Sequence, residues 1–169
     1  MEQRTAIVAG GSGLIGDSLI KDLLNSEQYA FVIALVRRPL AIEHEKLKQQ
    51  IIDFDLLTTM DSFPVADDVF CCLGTTQAKA KNQVEYRKVD FHYCYNLPKR
   101  ALAEGASRFF LVSSLGAEKG SKNSYLNLKG ELEHEISLLN YKAFYIFRPS
   151  LLLGNRKENR PGERFAQWI

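Results

Sequence analysis

No apolar run in the 169 residues approaches the roughly 18 needed to span a bilayer, so no membrane span is expected. An excess of one charge is missing as well. With 22 Lys+Arg against 20 Asp+Glu, the chain carries no basic footprint for nucleic acid or for a membrane surface. Cysteine is sparse and odd in number. Cys71, Cys72 and Cys94 form no C-x-x-C pair and have no histidine at ligand spacing, so they read as buried thiols in a reducing cytosol and a cytoplasmic location is expected. His44, His92 and His134 lack partners at metal spacing and read as surface residues, so no metal is expected. Internal repeats, heptad arrays and low-complexity tracts are absent too. Met1-Glu2-Gln3-Arg4 leads straight into a strand, which leaves no room for a signal peptide. What remains is a chain of single-domain length, able to bury about two thirds of its unfolded surface, whose expected partner is a small nucleotide.

The most informative stretch is Thr5 to Gly16, an apolar strand running into glycines spaced three apart and then into a helix. Gly10 permits a tight turn, Gly13 lets backbone amides approach a ligand, and Gly16 lets the helix pack closely. The helix N-terminus then offers its unpaired amides to a pyrophosphate, which makes Gly10, Ser12, Gly13, Leu14, Ile15 and Gly16 candidate cofactor contacts. The spacing is G-x-x-G-x-x-G, distinct from the commoner G-x-G-x-x-G.

Strands and helices alternate along the rest of the chain. Strands are predicted over Arg4 to Ala9, Tyr29 to Val36, Ile51 to Phe54, Val69 to Leu73, Arg108 to Ser113 and Lys142 to Phe147. Helices are predicted over Gly13 to Asn25, Asn82 to Glu104 and Ser124 to Leu138, the last with Ser124 as N-cap, while Leu56 to Pro64 is too broken for a full crossover helix. Pro98 interrupts the second helix, so a kink, or two helices joined near Asn96, is expected. Alternating βα units imply an α/β, Rossmann-type doubly wound parallel sheet with helices on both faces, with its ligand at the carboxyl ends of the strands.

The NAD form of this fold carries an acidic residue about 20 positions beyond the glycines, and that residue is lacking here. Arg37 stands there instead, 21 positions after Gly16. It suits a 2′-phosphate, with Arg38 able to lie against the adenine, so NADP(H) is the expected cofactor. Two solvated arginines closing a strand are the plain alternative. Asp53, with Phe54 beside it, either accepts from the adenine amino group or simply opens a turn.

Tyr125 and Lys129 lie four apart on one helical face. A cation beside a phenol favours its ionised form, so the pair is suited to proton transfer, and Lys129 can also hold ribose hydroxyls. Ser113 and Ser114 close the preceding strand, and a hydroxyl there could orient a carbonyl. On its own Y-x-x-x-K is usually a solvated face; its place after the serines and the glycine turn points to chemistry.

Glycines 10, 13 and 16, the two serines, Tyr125 with Lys129, and Arg148-Pro149 together resemble the short-chain dehydrogenase/reductase superfamily in its extended or atypical branch. Phe70 to Thr76, Tyr125 to Glu131 and Asn159 to Glu163 are similar to the Tat-interactive-protein-like NADP-binding proteins. The resemblance implies Tyr125 as proton donor or acceptor, Lys129 on the cofactor ribose and Ser114 as the third catalytic residue, with Ser113 the competing position. It also implies that Leu73, Gly74 and Thr75 pass under the adenine ribose and pyrophosphate, and that Arg148, Pro149 and Ser150 lie beside the nicotinamide amide. Asp90 stands where extended relatives often carry Asn. Relatives continue beyond the sixth strand, so residues 1–169 are expected to form one NAD(P)-binding domain without the segment that covers the substrate, and 155–164 to form a mobile loop at the site's mouth.

The expected activity is NADPH-dependent reduction of a small carbonyl substrate. An NADPH-binding regulatory protein without turnover, and a nucleotide-sugar epimerase or dehydratase, are the alternatives. Protein partners or a homo-oligomer are compatible with the sequence.

Overall fold

The computed structural model describes residues 3–75, 80 and 82–150. The predicted loop at 155–164, the segment 165–169 and Thr76 lie outside the described residues.

Six strands, β1 (Arg4–Ala9), β2 (Tyr29–Val36), β3 (Leu47–Ile51), β4 (Asp68–Cys71), β5 (Arg108–Val112) and β6 (Ala143–Phe147), form one sheet in the order β3-β2-β1-β4-β5-β6. Every pairing is parallel. Strands buried on both faces need near-continuous apolar sequence, and Ala6 to Ala9 are fully buried in the middle of the sheet. Helix α1 (Leu14–Asn25) packs Ile20, Leu23 and Leu24 on one face, against Ala6, Val8 and Val32. On the other face, α3 (Cys94–Ala103) and α4 (Ser124–Ser137) enclose a second core around Ile7, Val69, Leu97, Phe109, Leu111 and Leu132, and α2 (Gln83–Arg87) precedes them in the chain. The fold is a Rossmann-type doubly wound sheet. On the α1 side Phe70, Phe110 and Tyr145 stack across three adjacent strands, with ring centroids 4.4 and 4.8 Å apart.

The third strand departs from expectation. It runs over Leu47–Ile51, whereas Phe54–Leu56 form a 3-10 turn. At a sheet edge the strand is solvated, and Lys48 and Gln49 are exposed, so it lacks the apolar run that marks an inner strand. Gln49 also fastens the loop after β2, accepting from Leu40 N at 2.7 Å and donating to the carbonyls of Leu40 and Ile42.

The long second helix is also resolved differently. Asn82 caps α2 by accepting from Glu85 N at 2.9 Å, a π-helical segment follows over Lys88–Tyr93, and α3 then runs through Pro98. The irregularity lies upstream of the proline, not near Asn96. Tyr141 Oη donates to the Pro98 carbonyl at 2.7 Å.

A buried carboxylate ties the amino ends of the strands. Asp68, fully buried, accepts from Tyr29 Oη at 2.6 Å and Arg108 Nε at 2.5 Å, and pairs with Arg4 at 3.2 Å. Burial and this carboxylate together push the Tyr29 phenol well up.

Candidate functional site

The parallel strands end in step. Ala9 is level with Leu35 and Cys71, Cys71 with Leu111, and Leu111 with Ile146, so whatever follows these residues lies along one edge of the sheet. That edge receives Gly10, Arg37, Cys72 to Thr75, Ser113 and Arg148. β1 is also where the chain order reverses, and ligands of open α/β sheets bind in that crevice.

The glycine turn is shaped by contact. Gly10 has φ +88°, a conformation side chains rarely adopt, and a Cβ there would stand 2.4 Å from the Cys72 carbonyl oxygen. A Cβ on Gly16 would stand 2.3 Å from the Gly10 oxygen, so the first turn of α1 rests directly on the strand's end. Gly13 is the N-cap, its amide donating to Gly10 O at 3.0 Å. Among the described residues no side chain caps α1, which leaves the first-turn amides of Leu14, Ile15 and Gly16 to water or a ligand. Ser12 and Gly13 are exposed beside them.

Arg37 and Arg38 are exposed just past β2, and among the described residues neither is in an ion pair. Asp53 caps the 3-10 turn, its Oδ1 accepting from Asp55 N at 2.9 Å, so its turn-opening role is present in the structure. Phe54 is buried and its ring meets Tyr93 at 5.5 Å.

Leu73, Gly74 and Thr75 leave β4 beside the glycine turn. Thr75 N donates to Asp90 Oδ2 at 2.7 Å. Asp90, at the centre of the π-helical segment and fully buried, brings its Oδ1 to 2.8 Å from Lys129 Nζ. At that distance the ammonium and the carboxylate form a buried ion pair. Burial, the largest influence on Lys129, opposes its charge, yet Cys94, Asp90 and Tyr125 outweigh it and hold the ammonium above its ordinary range. Burial pushes the neighbouring Tyr86 phenol up to about 12, with the Asp90 charge adding to it. Cys71 and Cys94 are buried, and burial pushes the Cys72 thiol up to about 12, so the cysteines are unreactive structural thiols.

Asn123, rather than Ser124, caps α4, its side chain accepting from Tyr125 N at 3.0 Å and Leu126 N at 3.1 Å. An amide oxygen can reach two first-turn donors, which places the cap one residue earlier than expected. This cap places Tyr125 half-buried in the first turn and Lys129 one turn further in, its Nζ 6.0 Å from the Tyr125 ring centroid. Gly130 lets the loop after β5 lie on α4; a Cβ there would stand 2.2 Å from the backbone of Glu118 and Lys119. Asn127 accepts from Gly120 N at 2.6 Å and fastens the same loop.

Ser113 and Ser114 differ in setting. Ser113 is 6% exposed, its amide donates to Phe147 O at 2.7 Å, and its Oγ has no partner among the described residues. Ser114 is half-buried and its Oγ makes one long contact, 3.4 Å, to Leu115 O. Arg148 is held in a fork by the buried Glu133 of α4, at 3.0 and 2.5 Å. Pro149 O accepts from Leu115 N at 3.0 Å, and Ser150 is exposed. An apolar groove of about 570 Å³ runs beside this edge, lined by Ile15, Phe110, Val112, Phe147 and Pro149 among others.

Residues 10–145 match the NAD(P)H-binding family, and the rat protein HTATIP2 is 36% identical over 171 residues, covering 99% of this chain and 70% of its own. The chain belongs to that NAD(P)H-binding family. Within it, the chain is an atypical short-chain dehydrogenase/reductase of the HTATIP2-like kind. Protein FMP52 of Candida glabrata, named as mitochondrial, is 35% identical over 164 residues, covering 96% of this chain and 70% of its own. Its counterparts in Debaryomyces hansenii and Candida albicans carry the same designation. These relatives overturn the cytoplasmic expectation: unpaired thiols report a reducing environment, not a compartment. No helix among the described residues is long and apolar enough to cross a membrane.

Among solved structures, WbmH of Bordetella bronchiseptica in complex with NAD+ matches with a TM-score of 0.76 over 99% of this chain and 64% of that one, at 15% identity. UDP-glucose 4-epimerase of Thermotoga maritima with UDP-glucose gives 0.68 over 85% and 54%, at 16% identity. At such identities the likeness concerns the fold alone. The chain spans between half and two thirds of these solved chains.

The sequence reading missed the direct Asp90–Lys129 contact, the Gly130 approach and the Glu133–Arg148 fork. One signal was in view: a lone Asp among the apolar positions of a helix, Val89, Tyr93 and Leu97, needs a buried partner.

Proposed function

We propose that this NAD(P)H-binding protein holds NADP(H) across the glycine turn and reduces a small carbonyl compound, with Tyr125 as proton donor. The observation that carries the reading is Lys129, a nearly buried ammonium beside Tyr125, held in an ion pair with Asp90. The Nζ protons turned away from Asp90 would meet the ribose hydroxyls. The glycine contacts, which a Cβ would fill, and the uncapped start of α1 fit a pyrophosphate. Arg37, exposed at the end of β2, fits a 2′-phosphate, with Arg38 beside it. Backbone groups of Leu73, Gly74 and Thr75 border the same crevice, as do Pro149 and Ser150, while Arg148 serves by fixing this segment to α4 through Glu133.

When bound, the nicotinamide supplies a hydride to the carbonyl carbon. Tyr125 Oη gives its proton to the carbonyl oxygen, yielding an alcohol, and recovers a proton from solvent. Ser114, with its weakly engaged hydroxyl, donates a hydrogen bond to the same oxygen and orients the substrate. Asp53 keeps one carboxylate oxygen available for the adenine while the other caps its turn. Residues 1–169 act as the nucleotide-binding domain, and the relatives' additional length supplies what covers the substrate.

The decisive assay is NADPH oxidation against a panel of aldehydes and ketones, with wild type and Tyr125→Phe. Turnover in wild type, reduced at least about a hundredfold in Tyr125→Phe, supports the reading. Equal background oxidation in both proteins contradicts it and favours a nucleotide-binding protein without turnover.

A further inference from the structure

We propose that Gln49, on the edge strand β3, is a positioning residue for cofactor selectivity: it clasps the loop that carries Arg37 and Arg38 and so holds their guanidiniums where a 2′-phosphate would arrive. The inference rests on the NADP(H) reading of the site. Gln49 Oε1 accepts from Leu40 N at 2.7 Å, and Gln49 Nε2 donates to the carbonyls of Leu40 and Ile42, both at 3.1 Å. One side-chain amide thus meets three backbone groups of a single loop.

The loop needs such a partner. Residues 37–46 form no helix or strand, and backbone outside a ladder must find its hydrogen bonds elsewhere. Backbone pairing secures the far end of the loop, where Val32 N donates to Lys46 O and Leu47 N to His44 O, both at 2.9 Å. Nearer the arginines, the Gln49 side chain joins Leu40 and Ile42 to β3 instead. Alternation along the strand puts Gln49 on the same face as Leu47, and Leu47 packs with Leu40 and Ile42 against the core beneath α1. The glutamine therefore stands on the face that the loop crosses.

The clasp reaches the glycine turn. A Cβ on Gly11 would stand 3.2 Å from Leu40 Cδ1, so the leucine whose backbone Gln49 holds lies with its side chain against the turn proposed to seat the pyrophosphate. Pyrophosphate and 2′-phosphate belong to one nucleotide, so the separation of their two sites must match that molecule. Leu40 follows Arg37 by three residues, and Pro39 stiffens the link by fixing its own φ. Both guanidiniums are exposed, and the course of this loop sets where they stand. A loop ordered before the nucleotide arrives loses less conformational entropy on binding, and the gain goes to the ligand that uses the arginines. NADH, with a hydroxyl in place of the 2′-phosphate, makes little use of it.

Gln49→Leu removes all three hydrogen bonds at an exposed position with little change of size. The test is fluorescence titration with NADPH and with NADH for wild type, Gln49→Leu, Arg37→Ala/Arg38→Ala and the triple variant. Gln49→Leu should weaken NADPH binding about fivefold or more and NADH binding less than about twofold. Without the two arginines, adding Gln49→Leu should change NADPH affinity less than about twofold. Equal weakening of both nucleotides, or a loss that persists without the arginines, overturns the proposal, because the glutamine would then act on the fold and not through the guanidiniums.

Amide hydrogen exchange supplies a readout that needs no nucleotide. Leu40 N–H donates to Gln49, so its exchange should be at least about tenfold faster in Gln49→Leu, with the amides of β1 unchanged. Unchanged exchange at Leu40 overturns the clasp. If wild type binds NADH as tightly as NADPH while exchange at Leu40 quickens in the variant, the clasp stands and the NADP(H) reading falls.

Discussion

Asp90 and Lys129 form an ion pair 2.8 Å long beneath the candidate site, both side chains almost wholly removed from water. Removing one partner of such a pair strands the other. Lys129→Met should therefore destabilise the protein by about 3–5 kcal/mol, and adding Asp90→Asn should restore much of that loss. Urea unfolding of the two variants against wild type measures both effects. Additive losses would show that the charges do not interact.

Gly16 offers a test of the glycine turn that does not depend on chemistry. A Cβ there lies 2.3 Å from the backbone oxygen of Gly10, and neither backbone can yield without moving the strand end or the helix. Gly16→Ala should cost about 1–3 kcal/mol and weaken NADPH binding at least about tenfold. Thermal unfolding together with NADPH fluorescence reads both quantities. Wild-type behaviour in both would mean that the close approach has no function.

How far the sequence foretold these features depends on the kind of signal each leaves. β1 and β2 were legible to the residue because inner parallel strands demand continuous apolar runs. β3 was displaced because an edge strand made of Leu-Lys-Gln-Gln-Ile leaves no such run. The π-helical segment was hidden: Val89, Tyr93, Leu97 and Ala101 recur every four residues, so their spacing reads as unbroken α-helix, and Pro98 drew attention downstream. At the site, Tyr125 and Lys129 were visible through helical spacing, whereas the partner of Lys129 lies 39 positions away and is joined to it only by tertiary packing. The cap at Asn123 was missed because Asn and Ser are both good caps and stand side by side.

The two serines should separate by mutation. Ser114→Ala removes the hydroxyl proposed to orient the carbonyl, and carbonyl reduction should fall about a hundredfold with NADPH affinity unchanged. Ser113→Ala removes a buried hydroxyl that has no partner among the described residues, so it should leave turnover near wild type and stability equal or slightly higher. Steady-state kinetics on both variants decides the assignment. The reverse pattern would move the role to Ser113.

Acid should expose the link between α2 and α4. The Arg87 guanidinium holds the Glu131 carboxyl below its ordinary range, with burial opposing it and Asn127 adding to it. A carboxyl so depressed contributes stability that is present above its unfolded value, near pH 4, and is lost as pH falls through the lower folded value. Glu131→Gln should therefore be less stable than wild type at pH 6 by no more than about 1 kcal/mol, because the pair is partly solvated, and the difference should vanish near pH 2. Urea midpoints across that range measure the convergence. A difference that stays constant with pH would rule out the ion pair as its source.

The most direct test of the central claim is a fluorescence titration of the purified protein with NADPH and with NADH, repeated for Arg37→Glu. The account predicts tighter binding of NADPH by wild type and a loss of that preference, by about tenfold or more, in Arg37→Glu. Tighter binding of NADH by wild type, or an NADPH preference that survives in Arg37→Glu, would contradict it.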